Sequence, residues 1–179
     1  MRIVGGKYKG RKIEVNRNFD SRPTTDFARE ALFNILNNYF DFPDVTMLDL
    51  FAGTGSISLE MASRGCSDID LVDINSKAVQ YIEKAITVFS IKGIHPVRMD
   101  VFRFIPVCKK KYDIIFADPP YDLSRIDELP GLIFSNALLQ DHGWFILEHG
   151  KMYSFSKQEG WFDERKYGSV HFSFFRQKL

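Results

Sequence analysis

The stretch most able to do chemistry is Asp118-Pro119-Pro120-Tyr121, which follows the apolar run Tyr112-Asp113-Ile114-Ile115-Phe116-Ala117 without a break. Proline fixes φ and has no N–H, so two in succession stiffen the backbone and cannot extend a sheet ladder. A carboxylate on such a turn, beside an aromatic ring, could hold a planar amine-bearing group such as a nucleobase. Without its context a Pro-Pro is an ordinary strand-ending turn. The residues upstream change that reading.

Asp49-Leu50-Phe51-Ala52-Gly53-Thr54-Gly55-Ser56 turns at the end of another apolar run. It lacks the third glycine of G-x-G-x-x-G, where Ser58 stands, and it lacks the lysine of a phosphate-binding loop. A pyrophosphate ligand is therefore disfavoured. Its glycines still let the backbone approach a ligand closely. Asp73 lies 20 residues after Gly53 and can accept hydrogen bonds from both ribose hydroxyls. Asp100 ends the next strand-like run and could reach an adenine amino group. A ligand with ribose and adenine but no phosphate is S-adenosylmethionine. Its cationic sulfonium tolerates Asp49 and Asp118, and its ammonium and carboxylate would face the glycine turn and Thr24-Thr25.

Elements of two periodicities must position these residues. Phe27, Ala31, Leu32, Ile35, Leu36 and Tyr39 recur at helical spacing, predicting a helix to about residue 40. Thr24 or Thr25 can cap it, and Asp26 suits the positive end of its dipole. Strands are predicted at Val45–Phe51, Asp68–Asp73, His95–Met99, Tyr112–Ala117, Trp144–Glu148, Trp161–Lys166 and Val170–Arg176. Helices are predicted at Ser56–Arg64, Ser76–Phe89, Val101–Val107 and Ile126–Leu139. The alternation implies βαβ units, a mainly parallel sheet and helices on both faces. Ligands of such sheets bind outside the carboxyl ends of the strands. Gly55 and Asp118, 63 positions apart, should therefore share one crevice.

The 179 residues suit one domain with a small appendage, and 45% hydrophobic with 26% charged residues is ordinary for a globular protein. A chain of this size buries about 70% of its unfolded surface. The net charge of +1 gives the whole molecule no polyanion-binding character. Residues 1–22, however, carry seven basic side chains against two acidic ones, which fits either a phosphate-facing surface or a solubilising face. Glycines and lysines between Arg2–Val4 and Arg11–Val15 suggest a β-hairpin there. Cys66 and Cys108 have no metal-type spacing and read as thiols of a reducing compartment. The four histidines are scattered, and no metal site is expected. No signal peptide or membrane span is apparent, so a cytoplasmic location is expected. The absence of heptads suits a monomer.

The motifs resemble a known group. Asp49-Leu50-Phe51-Ala52-Gly53-Thr54-Gly55 is similar to the first motif of S-adenosylmethionine-dependent methyltransferases, and Asp118-Pro119-Pro120-Tyr121 to the motif of their amino-methylating branch. The start is more specific: Arg2-Ile3-Val4-Gly5-Gly6, Gly10-Arg11, Arg22-Pro23-Thr24-Thr25-Asp26 and Arg29-Glu30-Ala31-Leu32-Phe33-Asn34-Ile35-Leu36. Together these resemble the bacterial 16S ribosomal RNA (guanine-N2)-methyltransferase family, over nearly the whole chain. One departure is Phe27, where that family usually shows a basic or polar residue.

The resemblance implies a Rossmann-like α/β fold: a mostly parallel seven-stranded sheet, an antiparallel C-terminal strand and an N-terminal β-hairpin. Residues 1–22 would be the appendage and linker, and residues 23–179 the methyltransferase domain. It implies catalytic roles for Asp118, Pro119, Pro120 and Tyr121. The implied cofactor-binding set is Thr24, Thr25, Asp49, Phe51, Ala52, Gly53, Thr54, Gly55, Asp73, Ile74, Asp100, Val101 and Asp118. Lys7, Lys9, Arg11 and Arg22 would contact RNA, with 16S ribosomal RNA or a small-subunit assembly intermediate as partner. Two other readings stay open. One is methylation of adenine N6 in RNA or DNA, or of a protein glutamine. The other is a non-catalytic RNA-binding module.

Overall fold

The computed structural model describes residues 2–12 and 25–177. The predicted residues Arg22 and Thr24 lie outside that range. So does the end of the second hairpin run, which continues to Val15.

Seven strands form one sheet: β1 (Thr46–Leu50), β2 (Asp68–Asp73), β3 (Ile94–Arg98), β4 (Tyr112–Ala117), β5 (Leu139–His149), β6 (Trp161–Tyr167) and β7 (Val170–Arg176). Their order is β3-β2-β1-β4-β5-β7-β6. β1 to β5 pair in parallel, and β7 pairs antiparallel with both β5 and β6. The expected mostly parallel sheet with an antiparallel C-terminal strand is thus present. After β3 the chain returns to place β4 on the other side of β1, so the topology reverses between β1 and β4. That is where such sheets open a ligand crevice.

Alternation along each strand feeds two cores. Met47, Ile114, Phe116, Ile146, Phe172 and Phe174 face one side, while Leu48, Ile115, Phe145, Leu147 and Phe175 face the other. The helices α1 (Asp26–Leu36), α2 (Ser56–Ser63) and α3 (Ser76–Phe89) cover the first face. The second face carries α4 (Val101–Val107) and α5 (Leu129–Ser135). α1 buries Ala28, Leu32, Phe33 and Leu36, and Thr25 Oγ1 caps it by accepting the Ala28 amide at 3.1 Å.

Several boundaries shift by a single residue, and three elements differ from expectation by more. α1 stops at Leu36, and Tyr39 and Phe40 instead pack on Trp144 at 4.7 and 5.3 Å between ring centroids. The helix expected over Ile126–Leu139 is a 3-10 turn, Ile126–Glu128, followed by α5, because Ala137 takes a left-handed φ of 52° and ends it. β5 begins at Leu139 rather than Trp144. Its polar Gln140-Asp141-His142-Gly143 segment lies opposite a register shift between Tyr112 and Ile114, which conceals the strand in the sequence.

Residues 2–12 close a loop with one antiparallel bridge, Arg2 to Lys12. The loop packs on α2: the Lys7 and Tyr8 amides donate to the Ser63 carbonyl at 2.6 Å and the Ser63 hydroxyl at 2.9 Å. The Val4 amide donates to the Glu60 carboxylate at 2.8 Å. Gly6 has φ +70°, and a Cβ there would overlap the Ser63 carbonyl. No helix of the described residues is long and apolar enough to cross a membrane.

Candidate functional site

Asp49 is the next-to-last residue of β1, buried at 2% exposure. Its Oδ2 accepts the Ser58 hydroxyl at 2.6 Å and the Ser58 amide at 3.3 Å. Burial pushes its carboxyl up to about 7, against the pull of Ser58 and with a further push from Asp73. Phe51 then takes φ 59°, an outlier for a bulky residue. Such strain costs about 1–3 kcal/mol and gathers at functional sites. The turn closes with the Gly55 amide donating to the Ala52 carbonyl at 2.7 Å. Gly55 is required twice over: its φ is +68°, and a Cβ would sit 2.9 Å from Ile82 Cγ1 of α3.

Asp73, ending β2, does not simply point into open space. Its Oδ2 accepts the Gly53 amide at 2.8 Å and its Oδ1 the Asn75 amide at 2.7 Å. Each carboxylate oxygen keeps a further lone pair for a ligand hydroxyl. Ile74 beside it is 65% exposed, an apolar side chain left open at the crevice rim. Asp100 caps α4, its Oδ1 accepting the Arg103 amide at 3.1 Å, and Val101 is buried beneath. Phe51 meets Phe102 edge-on at 6.3 Å, and the Arg125 guanidinium lies 4.1 Å from the Phe102 centroid.

Asp118 follows β4, and its amide reaches the Leu50 carbonyl at 3.4 Å, joining the ends of the two strands at the reversal point. Pro119 is buried and Pro120 exposed. Tyr121 is half-exposed, with its ring over Gly150 at the end of β5; a Cβ on Gly150 would lie 3.5 Å from Tyr121 Cε1. Burial holds the Asp118 carboxyl well above the usual range, and the charges of Glu148 and Asp49 push it further. Among the described residues, no group of three or more His, Cys, Asp and Glu side chains is placed to hold a metal ion.

The structure therefore brings Asp49, the Phe51–Gly55 turn (with Ala52 and Thr54), Asp73, Ile74, Asp100, Val101 and Asp118–Tyr121 to one end of the sheet. It does not bring the tip of the basic loop there. α2 and α3 run back from the carboxyl ends of the strands, and the tip docks at their far ends: Lys7 and Tyr8 on Ser63, Arg11 5.2 Å from the Phe89 ring centroid. Lys7 and Arg11 also lie 5.6 and 5.1 Å from the Tyr8 ring centroid. Thr25 is spent as the cap of α1.

Two features escaped the sequence reading. Glu148 is a buried acid at a strand end, and the same signal that marked Asp118, an acid closing an apolar run, could have found it. The histidines are not all scattered: His149 and His171 face each other across β5 and β7 at 5.6 Å between ring centroids. His149 Nε2 pairs with the Ser173 hydroxyl at 2.8 Å, and burial lowers its proton affinity.

Comparison with known proteins agrees with this geometry. The family model described as "Conserved hypothetical protein 95" matches residues 1–176. Ribosomal RNA small subunit methyltransferase D of Escherichia coli K12 is 31% identical over 83% of this chain and 74% of its own. The protein of that name from Buchnera aphidicola of Baizongia pistaciae is 28% identical over 98% and 91%. The solved structure of yhhF from Escherichia coli superposes with a TM-score of 0.86 at 28% identity, covering 100% of this chain and 99% of that one.

Proposed function

From a chain that belongs to the family of ribosomal RNA small subunit methyltransferase D, we propose an enzyme that methylates the exocyclic N2 of a specific guanine in 16S ribosomal RNA, with S-adenosylmethionine as donor. The observation that carries this reading is the place of Asp118: on a rigid Pro-Pro turn, at the reversal point of the sheet, one strand from the glycine turn.

The residues present fit that donor. Asp73 holds the turn while keeping lone pairs for ribose hydroxyls, Ile74 offers apolar surface to adenine, and Asp100 flanks it. Acids at Asp49, Asp118 and Glu148 suit a sulfonium and would repel a pyrophosphate. When bound, the donor supplies an electrophilic methyl group.

The chain supplies the rest. A guanine amine is a poor nucleophile because its lone pair is delocalised into the ring. The Asp118 carboxylate and the Pro119 carbonyl accept its two hydrogens and favour a pyramidal nitrogen. Acceptors fixed in advance stabilise developing positive charge on that nitrogen more than they stabilise the ground state. The Asp118 carboxylate also matches the adjacent N1–H and N2–H donors of guanine. Tyr121 stacks on the base, a contact worth about 1–3 kcal/mol, and the base must leave its helix to reach it. Lys7, Lys9 and Arg11, at the far end of α2 and α3, would then hold RNA away from the target, with Arg22.

The test is incubation of the purified chain with labelled S-adenosylmethionine and either small-subunit ribosomal RNA or DNA, followed by nucleoside analysis. Label in N2-methylguanosine of the RNA is expected. Label in N6-methyladenosine, or in DNA, contradicts the proposal.

A further inference from the structure

Glu148 is a buried acid at this end of the sheet to which the proposed chemistry gives no proton-transfer role. It is 3% exposed, next to the last residue of β5. β4 and β5 are parallel, and Ala117 beside Leu147 is their final pair, so Asp118 and Glu148 are the next neighbours across the sheet. Side chains alternate along strands, so both acids share the face of Phe116 and Ile146. Asp49, opposite Phe116, shares it too. Asp118 is half-buried, and Glu148 beside it is buried.

The titratable groups that act on Asp118 from the packed strands are therefore two acids, Glu148 of β5 and Asp49 of β1. Asp73 of β2 acts one step away, through Asp49. Beyond Glu148, β7 presents Phe172, which carries no charge. His149 turns to the opposite face, toward Ser173.

We propose that Glu148 is a positioning residue of the reaction: its carboxylate, set beside Asp118 across the sheet, makes Asp118 a base strong enough to take the proton that the amine sheds on methylation. The proposal rests on the amine-methylating reading above. In that step the amine lone pair forms the new N–C bond, and the methyl–sulfur bond breaks with its electron pair left on sulfur. One N–H proton passes to Asp118 and then to solvent. A neighbouring negative charge raises the proton affinity of a carboxylate, and a base is most effective when its pKa lies near the working pH.

The test pairs two measurements on the full chain, wild type and Glu148→Gln. The first is an NMR titration of carboxyl-labelled aspartate without donor or RNA, with the Asp118 signal assigned by its loss in Asp118→Asn. The second is the pH profile of single-turnover methyl transfer. In Glu148→Gln the Asp118 midpoint should fall by about one pH unit or more. The rate near about pH 8 should fall about tenfold, while the acidic limb moves to lower pH, so that the two profiles converge on acidification. Glu148→Asp, which keeps the charge, should restore the limb. Superimposable profiles, or an unmoved midpoint, would overturn the proposal. If Glu148→Gln does not fold, Glu148→Ala takes its place in both measurements, and an Asp118 midpoint in the ordinary carboxylate range in the wild type overturns the proposal by itself. The titration needs no methyl transfer. A product other than N2-methylguanosine would thus count against the guanine assignment, and a flat comparison at Asp118 against Glu148.

Discussion

The carboxylate of Asp73 accepts the Gly53 amide at 2.8 Å, so the acid at the end of β2 holds the turn at the end of β1. A residue read as a ribose ligand is also the clamp of the loop that would face the same ligand. Asp73→Ala should weaken S-adenosylmethionine binding about tenfold or more, the equivalent of about 1.4 kcal/mol. It should also lower stability by about 1–3 kcal/mol through the amides it leaves unpaired. Calorimetry and denaturant melts read the two effects. An unchanged Kd would remove the ribose assignment and leave only the clamp.

Asp118→Ala should cut methyl transfer by at least about a hundredfold, the lower range for a proton-transfer group. Donor binding should be nearly intact, because the glycine turn and Asp73 are untouched. Near-wild-type turnover in a folded sample would show that the carboxylate is not the acceptor of the amine.

Asp49 makes stability depend on pH. Its carboxyl rises from 3.8 to about 7 on folding, so between those values the folded chain keeps a proton that the unfolded chain has lost. The stabilisation is present at the acidic end and is lost as pH rises through about 7. Asp49→Asn cannot lose that proton, so its melting temperature relative to wild type should climb between about pH 4 and about pH 8. A constant difference across that range would place the ionisation of Asp49 elsewhere.

Two glycines of the N-terminal loop separate backbone strain from packing. Gly6 and Gly10 both have positive φ, but a Cβ overlaps the Ser63 carbonyl only at Gly6, while Gly10 has nothing within 4 Å. Both alanine variants pay the left-handed cost of about 1 kcal/mol. Gly6→Ala should lose clearly more, as the loop lifts from α2. Equal melting shifts would mean that docking on Ser63 contributes little.

The sequence exposes much of this architecture because local pattern and burial agree. Tyr112–Ala117, Ser76–Phe89 and Val101–Val107 have the boundaries that their periodicity predicts. β5 does not, because Gln140–His142 are polar and its start is set by pairing with β4 rather than by its own composition. The acids at Asp49, Asp73, Asp100 and Asp118 are legible as carboxyl-end residues of strands. The nearness of Glu148 to Asp118 is not, since it depends on which strand lies beside β4 and in what register. Nor is the route of residues 2–12: a basic segment looks like an RNA contact wherever it lies, and only its docking on Ser63 places its tip far from the crevice.

The central claim is tested most directly by mass analysis of nucleosides from under-modified small-subunit ribosomal RNA, after incubation with the purified chain and isotopically labelled S-adenosylmethionine. A single labelled product, N2-methylguanosine, absent when Asp118→Ala replaces the wild type, is the predicted result. Label in N6-methyladenosine, or no RNA label from a chain that binds the donor, would contradict it.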